Sequence, residues 1–127
     1  MDVRFTEREL DIMQVLWDRG PSTVAEVLEG LRDELAYNTV LTMLKVLEDK
    51  GHVVRDAAGK AHRYSPSVER SAAGESALRR VTRRLFQGSP EALLLNLVNQ
   101  EEVTPDEVRR MRDLLDQKLT QSEGDDR

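Results

Sequence analysis

Apolar positions along the first half of the chain fall into three helical stripes. In "TERELDIMQVLW" the residues Leu10, Met13, Leu16 and Trp17 share one face, and Thr6 and Glu9 have the spacing of a capping box. Gly20-Pro21 stops this helix. "TVAE" at 23–26 repeats the device, and Val24, Val27, Leu28, Leu31 and Leu35 continue a second apolar face. Tyr37 and Asn38 break the pattern. Asn38 is placed to cap a third helix whose inward positions are Val40, Leu44 and Leu47, and Gly51 suits a left-handed residue at its end.

The period then changes. Two short β-prone runs, 52–55 and 60–65, flank "DAAG", where Gly59 supplies the positive φ of a hairpin turn, and Pro66 ends the second run. A fourth helix is predicted over 71–86, with Leu78, Val81 and Leu85 on one face, closed by Gly88. Ser89-Pro90 reads as an N-cap followed by proline at the first helical position. The helix it opens, "EALLLNLVNQ", is apolar nearly all round. A capping box at Thr104 and Glu107 begins a last helix, with Val108, Met111, Leu115 and Leu119 on one face. The predicted fold is mostly α with a small β-hairpin. It divides into an N-terminal winged helix-turn-helix over 1–70, a C-terminal helical dimerisation region over 71–120 and a disordered tail at 121–127.

In a winged helix the third helix enters the DNA major groove and the hairpin lies along the backbone. With Val40, Leu44 and Leu47 inward, Asn38, Thr42, Lys45 and Asp49 point outward, and Thr39 and Val46 flank them. Asn reads adenine through a bidentate contact, and Thr offers a hydroxyl to a base or a methyl to thymine. Lys45 suits a phosphate or a guanine edge. Short side chains also let the helix backbone approach the bases. Asn38, Thr39, Thr42 and Lys45 are therefore the candidate readers.

Charge supports this assignment. Although the whole chain carries −5, residues 1–36 have net −5, residues 37–70 net +2 and residues 71–127 net −2. The positive segment is the one with the candidate reading helix. Around the hairpin, Lys50, Arg55, Lys60 and Arg63 stand against Asp56, so Arg55, Lys60 and Arg63 read as a phosphate clamp. "RRVTRR" at 79–84 is a second basic cluster. It is open to three readings: a solvated face, a DNA backbone contact or a partner contact.

In the C-terminal part, Leu93, Leu94, Leu95, Leu97 and Val98 exceed what one small monomer face covers. Packing Leu93, Leu94, Leu97 and Val98 against Val108, Met111, Leu115 and their two-fold mates removes that patch. An isologous dimer also sets two reading helices at the spacing of a palindrome.

The segments "FTERELDIMQVLW", "STVAEVLEGL", "YNTVLTMLKVLEDKGHV", "GKAHRYSP" and "LFQGSPEALLLNLVNQEEVTPDEVRRMRDLLDQKL" resemble the penicillinase-repressor family, BlaI/MecI/CopY, across about residues 4–119. The resemblance implies a cytoplasmic homodimer that represses transcription at an inverted-repeat operator. Asn38, Thr39, Thr42 and Lys45 then fall in the recognition helix, and residues 55–63 in the wing. Val46 stands where the family often has Arg. Penicillinase repressors of this family are inactivated by proteolysis triggered by a membrane-embedded zinc metalloprotease that senses β-lactam. The cut falls between Asn and Phe in the segment matching "LLLNLV"; here the pair is Asn96-Leu97. That sensor system is the further partner implied. The copper-sensing branch uses a cysteine hook, and this chain has no cysteine.

The absence of cysteine also removes disulfides, thiolate metal sites and cysteine nucleophiles, and fits a reducing cytoplasm. The start has no apolar h-region, and the run "ALLL" at 92–95 is too short to span a bilayer, so no membrane insertion is expected. His52 and His62 are the only histidines, read as surface residues. Without a converging carboxylate or third ligand they make no metal site. No phosphate loop, nucleophile elbow or HExxH occurs, so neither catalytic residues nor a cofactor are expected. Two alternatives stay open: a winged-helix regulator controlled by a small apolar ligand, and a winged helix used for protein–protein contacts.

Overall fold

The computed structural model describes residues 3–56 and 62–125. Its elements run α1 (Glu7–Arg19), α2 (Val24–Gly30), α3 (Tyr37–Asp49), β1 (Val53–Asp56), β2 (Arg63–Pro66), α4 (Arg70–Leu85), α5 (Pro90–Val98) and α6 (Pro105–Asp125). This is a mostly helical winged helix-turn-helix with a two-stranded antiparallel wing. The chain forms two compact units that divide between Leu78 and Arg79, inside α4.

In the first unit both predicted capping boxes form. Thr6 accepts the Glu9 amide and Glu9 accepts the Thr6 amide, and Thr23 and Glu26 do the same. The core comprises Ile12, Met13, Leu16, Val24, Val27, Val40, Leu44, Leu47, Val53 and Tyr64. The buried stripe of α1 runs through Glu9, Ile12, Met13 and Leu16, so it is rotated from the predicted one and leaves Leu10 exposed. The fully buried Ile12, Met13 and Leu16 set this face, and the carboxylate of Glu9 on the same side is tolerated because Lys50 Nζ meets it at 2.8 Å.

Helix α2 is shorter than the apolar spacing suggests. It ends at Gly30, and Leu31 and Leu35 pack against the core from the following turn. A Cβ on Gly30 would lie 2.7 Å from Val15 Cγ1, so glycine there lets α2 approach α1. Nor is Asn38 the cap of α3. The helix begins two residues earlier, at Tyr37, with Ala36 at the cap position and no side-chain hydrogen bond to the helix end. The far end of α3 follows the prediction. Gly51 has φ +83°, its amide bonds Glu48 O, and the His52 amide bonds Leu47 O, forming a Schellman motif that turns the chain into the wing.

Strand β1 pairs with β2 in the register Val53↔Pro66 to Asp56↔Arg63. A bridge missing from the sequence reading joins Ser22 to Tyr64 through Ser22 N→Tyr64 O at 3.0 Å and Tyr64 N→Ser22 O at 2.8 Å. It ties the root of the wing to the α1–α2 connection and seats Tyr64 in the core. The turn expected at Gly59 and the clamp residue Lys60 lie outside the described residues.

Aromatic contacts complete this unit. Phe5 packs edge-on against Trp17 and His52, so His52 is buried rather than a surface residue. Trp17 Nε1 donates to Val68 O, and the Arg70 guanidinium lies 5.5 Å from the Trp17 ring centre. Val3 and Ser76 exchange hydrogen bonds, anchoring the first turns of α4.

The second unit holds the rest of α4, then α5 and α6. Ser89 caps α5, with Pro90 at its first position, and Thr104 and Glu107 cap α6 as expected. Helix α6 continues to Asp125, through residues 121–125 of the segment read from sequence as a disordered tail. No described side chain from Arg79 onward is buried.

Candidate nucleic-acid interface

Helix α3 has two chemically different sides because its apolar residues recur every three to four positions. Val40, Leu44 and Leu47 are fully buried, which fixes the rotation of the helix. The opposite side then exposes Asn38, Thr39, Thr42, Lys45, Val46 and Asp49, with Tyr37 at its start. Because Ala36 takes the cap position, Asn38 is released from capping. Among the described residues, Asn38, Thr39 and Thr42 have no side-chain hydrogen bond, and Lys45 has no ion pair. The donors and acceptors of this face are therefore available to an external partner. Val46 and Tyr37 add apolar surface, 41% and 51% exposed.

The cations beside this face are engaged differently. Lys50, at the end of α3, is bound to both oxygens of buried Glu9. Burial alone would raise the Glu9 pKa, but the hydrogen bonds from Lys50 and Thr6 prevail and hold it below the ordinary carboxylate value. Arg55 Nε on β1 lies 3.6 Å from Glu48 Oε2 on α3. Arg63 Nη1 on β2 lies 2.8 Å from Glu26 Oε1 on α2. The Thr23 amide and hydroxyl and the Arg63 charge together hold the Glu26 carboxyl below its usual value. The net charge of the hairpin segment is thus offset by carboxylates from three helices. Sequence counting missed the Glu9–Lys50 and Glu26–Arg63 pairings, because their members are 41 and 37 residues apart.

The predicted contact residues of the second unit are solvent-accessible in the single chain. Leu93, Leu94, Val98 and Met111 are half-buried, while Leu97 is 45%, Val108 42% and Leu115 53% exposed. Asn96 Nδ2 donates to Ala92 O within α5, so the Asn96-Leu97 peptide bond lies inside a regular helix. On α4, Arg79, Arg83 and Arg84 are exposed.

Among the described residues no group of three His, Asp or Glu side chains is arranged to hold a metal ion, and no helix is long and apolar enough to cross a membrane. A cleft on the first unit is lined mostly by polar side chains, among them Arg8, Asp11, Asp18 and Asp33, with Val15 and Leu31 beside them.

Comparison with known proteins gives a consistent family signal. The family model described as "Penicillinase repressor" matches residues 5–117. The methicillin resistance regulatory protein MecI of Staphylococcus aureus (strain N315) is 23% identical over 112 residues, covering 87% of this chain and 91% of MecI. The transcriptional regulator BlaI of Mycobacterium tuberculosis (strain H37Rv) is 42% identical over 66 residues, covering 50% of this chain and 48% of that protein. Among solved structures, the transcriptional regulator Tm0710 from Thermotoga maritima matches 94% of this chain and 77% of its own. Its TM-score is 0.54 at 19% identity, a likeness of fold.

Proposed function

This chain belongs to the penicillinase repressor family of DNA-binding transcriptional repressors, and we propose that it acts as a homodimer on an inverted-repeat operator. In this reading the outward side of α3 enters the major groove. Asn38, Thr39, Thr42 and Lys45 contact base edges, while Arg55, Lys60 and Arg63 of the wing contact phosphates. The observation that carries it is the division of α3. One side is locked into the core, and the other is polar, exposed and uncommitted to internal hydrogen bonds among the described residues. The exposed Asn38 and Thr42 also weigh against a purely protein-binding winged helix, since apart from Val46 and Tyr37 this side offers no large apolar anchor.

The second unit supplies the dimer. Leu93, Leu94, Leu97 and Val98 on α5, with Val108, Met111 and Leu115 on α6, meet their two-fold mates and lose their contact with water. Proteolysis between Asn96 and Leu97 relieves repression by removing part of that surface. Because the bond sits within α5, cutting requires the helix to open first.

A gel-shift titration against promoter fragments, at two salt concentrations, tests the DNA reading. The expected result is a saturable shift on a fragment with dyad footprint, weakening as salt rises. Thr42→Ala combined with Lys45→Ala lowers operator affinity by about 10-fold or more while leaving the dimer intact. Unchanged affinity in this double variant removes α3 as the reader.

A further inference from the structure

The wing arginines are not idle in the free protein. Arg63 is held by Glu26, and the same Glu26 Oε1 accepts the Thr23 amide at 3.2 Å as the capping-box acceptor of α2. Arg55 forms a looser ion pair, at 3.6 Å, with Glu48, the penultimate residue of α3. A carboxylate and a phosphate present a guanidinium with similar anionic oxygen pairs, and an arginine satisfied by one must leave it to take the other in full. We propose that Glu26 and Glu48 occupy the phosphate sites of the wing in the free protein, so that DNA docks by exchanging carboxylate for phosphate at Arg63 and Arg55. This rests on the wing contacting DNA, as proposed above.

Exposure makes the exchange cheap. All four side chains are between about a third and a half exposed, and pairs of this kind are weak and screened by salt. Lys50 provides the contrast. Its partner Glu9 is 4% exposed, and withdrawing Lys50 would leave a buried carboxylate without its cation. Lys50 therefore stays with Glu9, and the exchange is confined to the two arginines. Phosphate contacts carry no base information, so the competition lowers affinity for every duplex alike.

Glu26→Gln tests this without losing the helix cap, because glutamine serves at the same capping-box position. Binding to a short duplex of arbitrary sequence is measured for Glu26→Gln, Arg63→Ala and the double variant, and likewise for Glu48→Gln with Arg55→Ala. Each glutamine variant is expected to tighten binding by about two- to fivefold at low salt, with the gain shrinking as salt rises. In the matching arginine-to-alanine background the gain disappears. An equal gain in both backgrounds reduces the effect to bulk charge and overturns the exchange. No gain, with Arg63→Ala and Arg55→Ala still weakening binding, overturns the exchange but leaves the wing on DNA. If neither alanine variant weakens binding, the wing is no DNA contact, and the proposed use of Arg55 and Arg63 falls together with the exchange.

Discussion

Helices α3 and α6 are both amphipathic, yet their apolar sides have different surroundings. On α3, Val40, Leu44 and Leu47 are fully buried by α1, α2 and the wing root. On α6, Val108, Leu115 and Leu119 stand 42%, 53% and 59% exposed. The first unit closes its own core from local elements. In the second unit, no residue of α5 or α6 whose side chain is described is buried. Apolar helix faces of this extent are costly to leave in water, so a partner covering them would supply most of the second unit's stability. The proposed dimer supplies that cover, which would make one unit stable irrespective of concentration and the other dependent on it.

The strongest way to break this comparison is Leu97→Asp. A carboxylate forced into the proposed interface costs at least about 4 kcal/mol per dimer. Sedimentation is expected to show monomers, with the first unit still folded. A persistent dimer places the interface elsewhere. Next comes a matched pair of truncations. Leu44→Ala is expected to cost about 2–5 kcal/mol at every protein concentration. Leu115→Ala is expected to shift the urea midpoint in a concentration-dependent way. If both behave alike, the two regions do not differ as described.

A smaller effect sharpens the picture within the first unit. Gly30→Ala puts a methyl against Val15, whose branched side chain has little room to turn, and is expected to lower stability by about 1–3 kcal/mol in urea denaturation. The smallest expected effect concerns acid. Glu9 is held below its ordinary value of 4.5, so its contribution is complete above that pH. The contribution is lost as pH falls from there through the lower folded value. Glu9→Gln is expected to flatten the acid limb of the stability curve in that window; an unchanged limb would separate Glu9 from acid unfolding.

Local signals were legible in the sequence. The three Thr-x-x-Glu boxes, the Ser89-Pro90 start and the positive-φ Gly51 each depend on residues a few positions apart, and each forms as read. The inward residues of α3 were equally plain, because nothing competes with their period. What escaped was set by distant partners. Glu9 looks like a solvent residue until Lys50 arrives from the end of α3. The apolar spacing of Leu31 and Leu35 suggested a longer α2, but these side chains reach the core from a turn. His52 gave no sign of burial, since its neighbour Phe5 lies far away in sequence. Wing charge was countable, but its pairing with Glu26 and Glu48 was not.

Trp17 is the chain's single tryptophan, and its place between Phe5, Arg70 and the Val68 carbonyl has an optical consequence. Its emission belongs to the first unit alone. A fluorescence melt will follow the winged helix and pass over any loosening of α5 and α6, whereas far-ultraviolet dichroism sums both units. Recorded together on one sample, the two signals separate the regions without a label or a truncated chain.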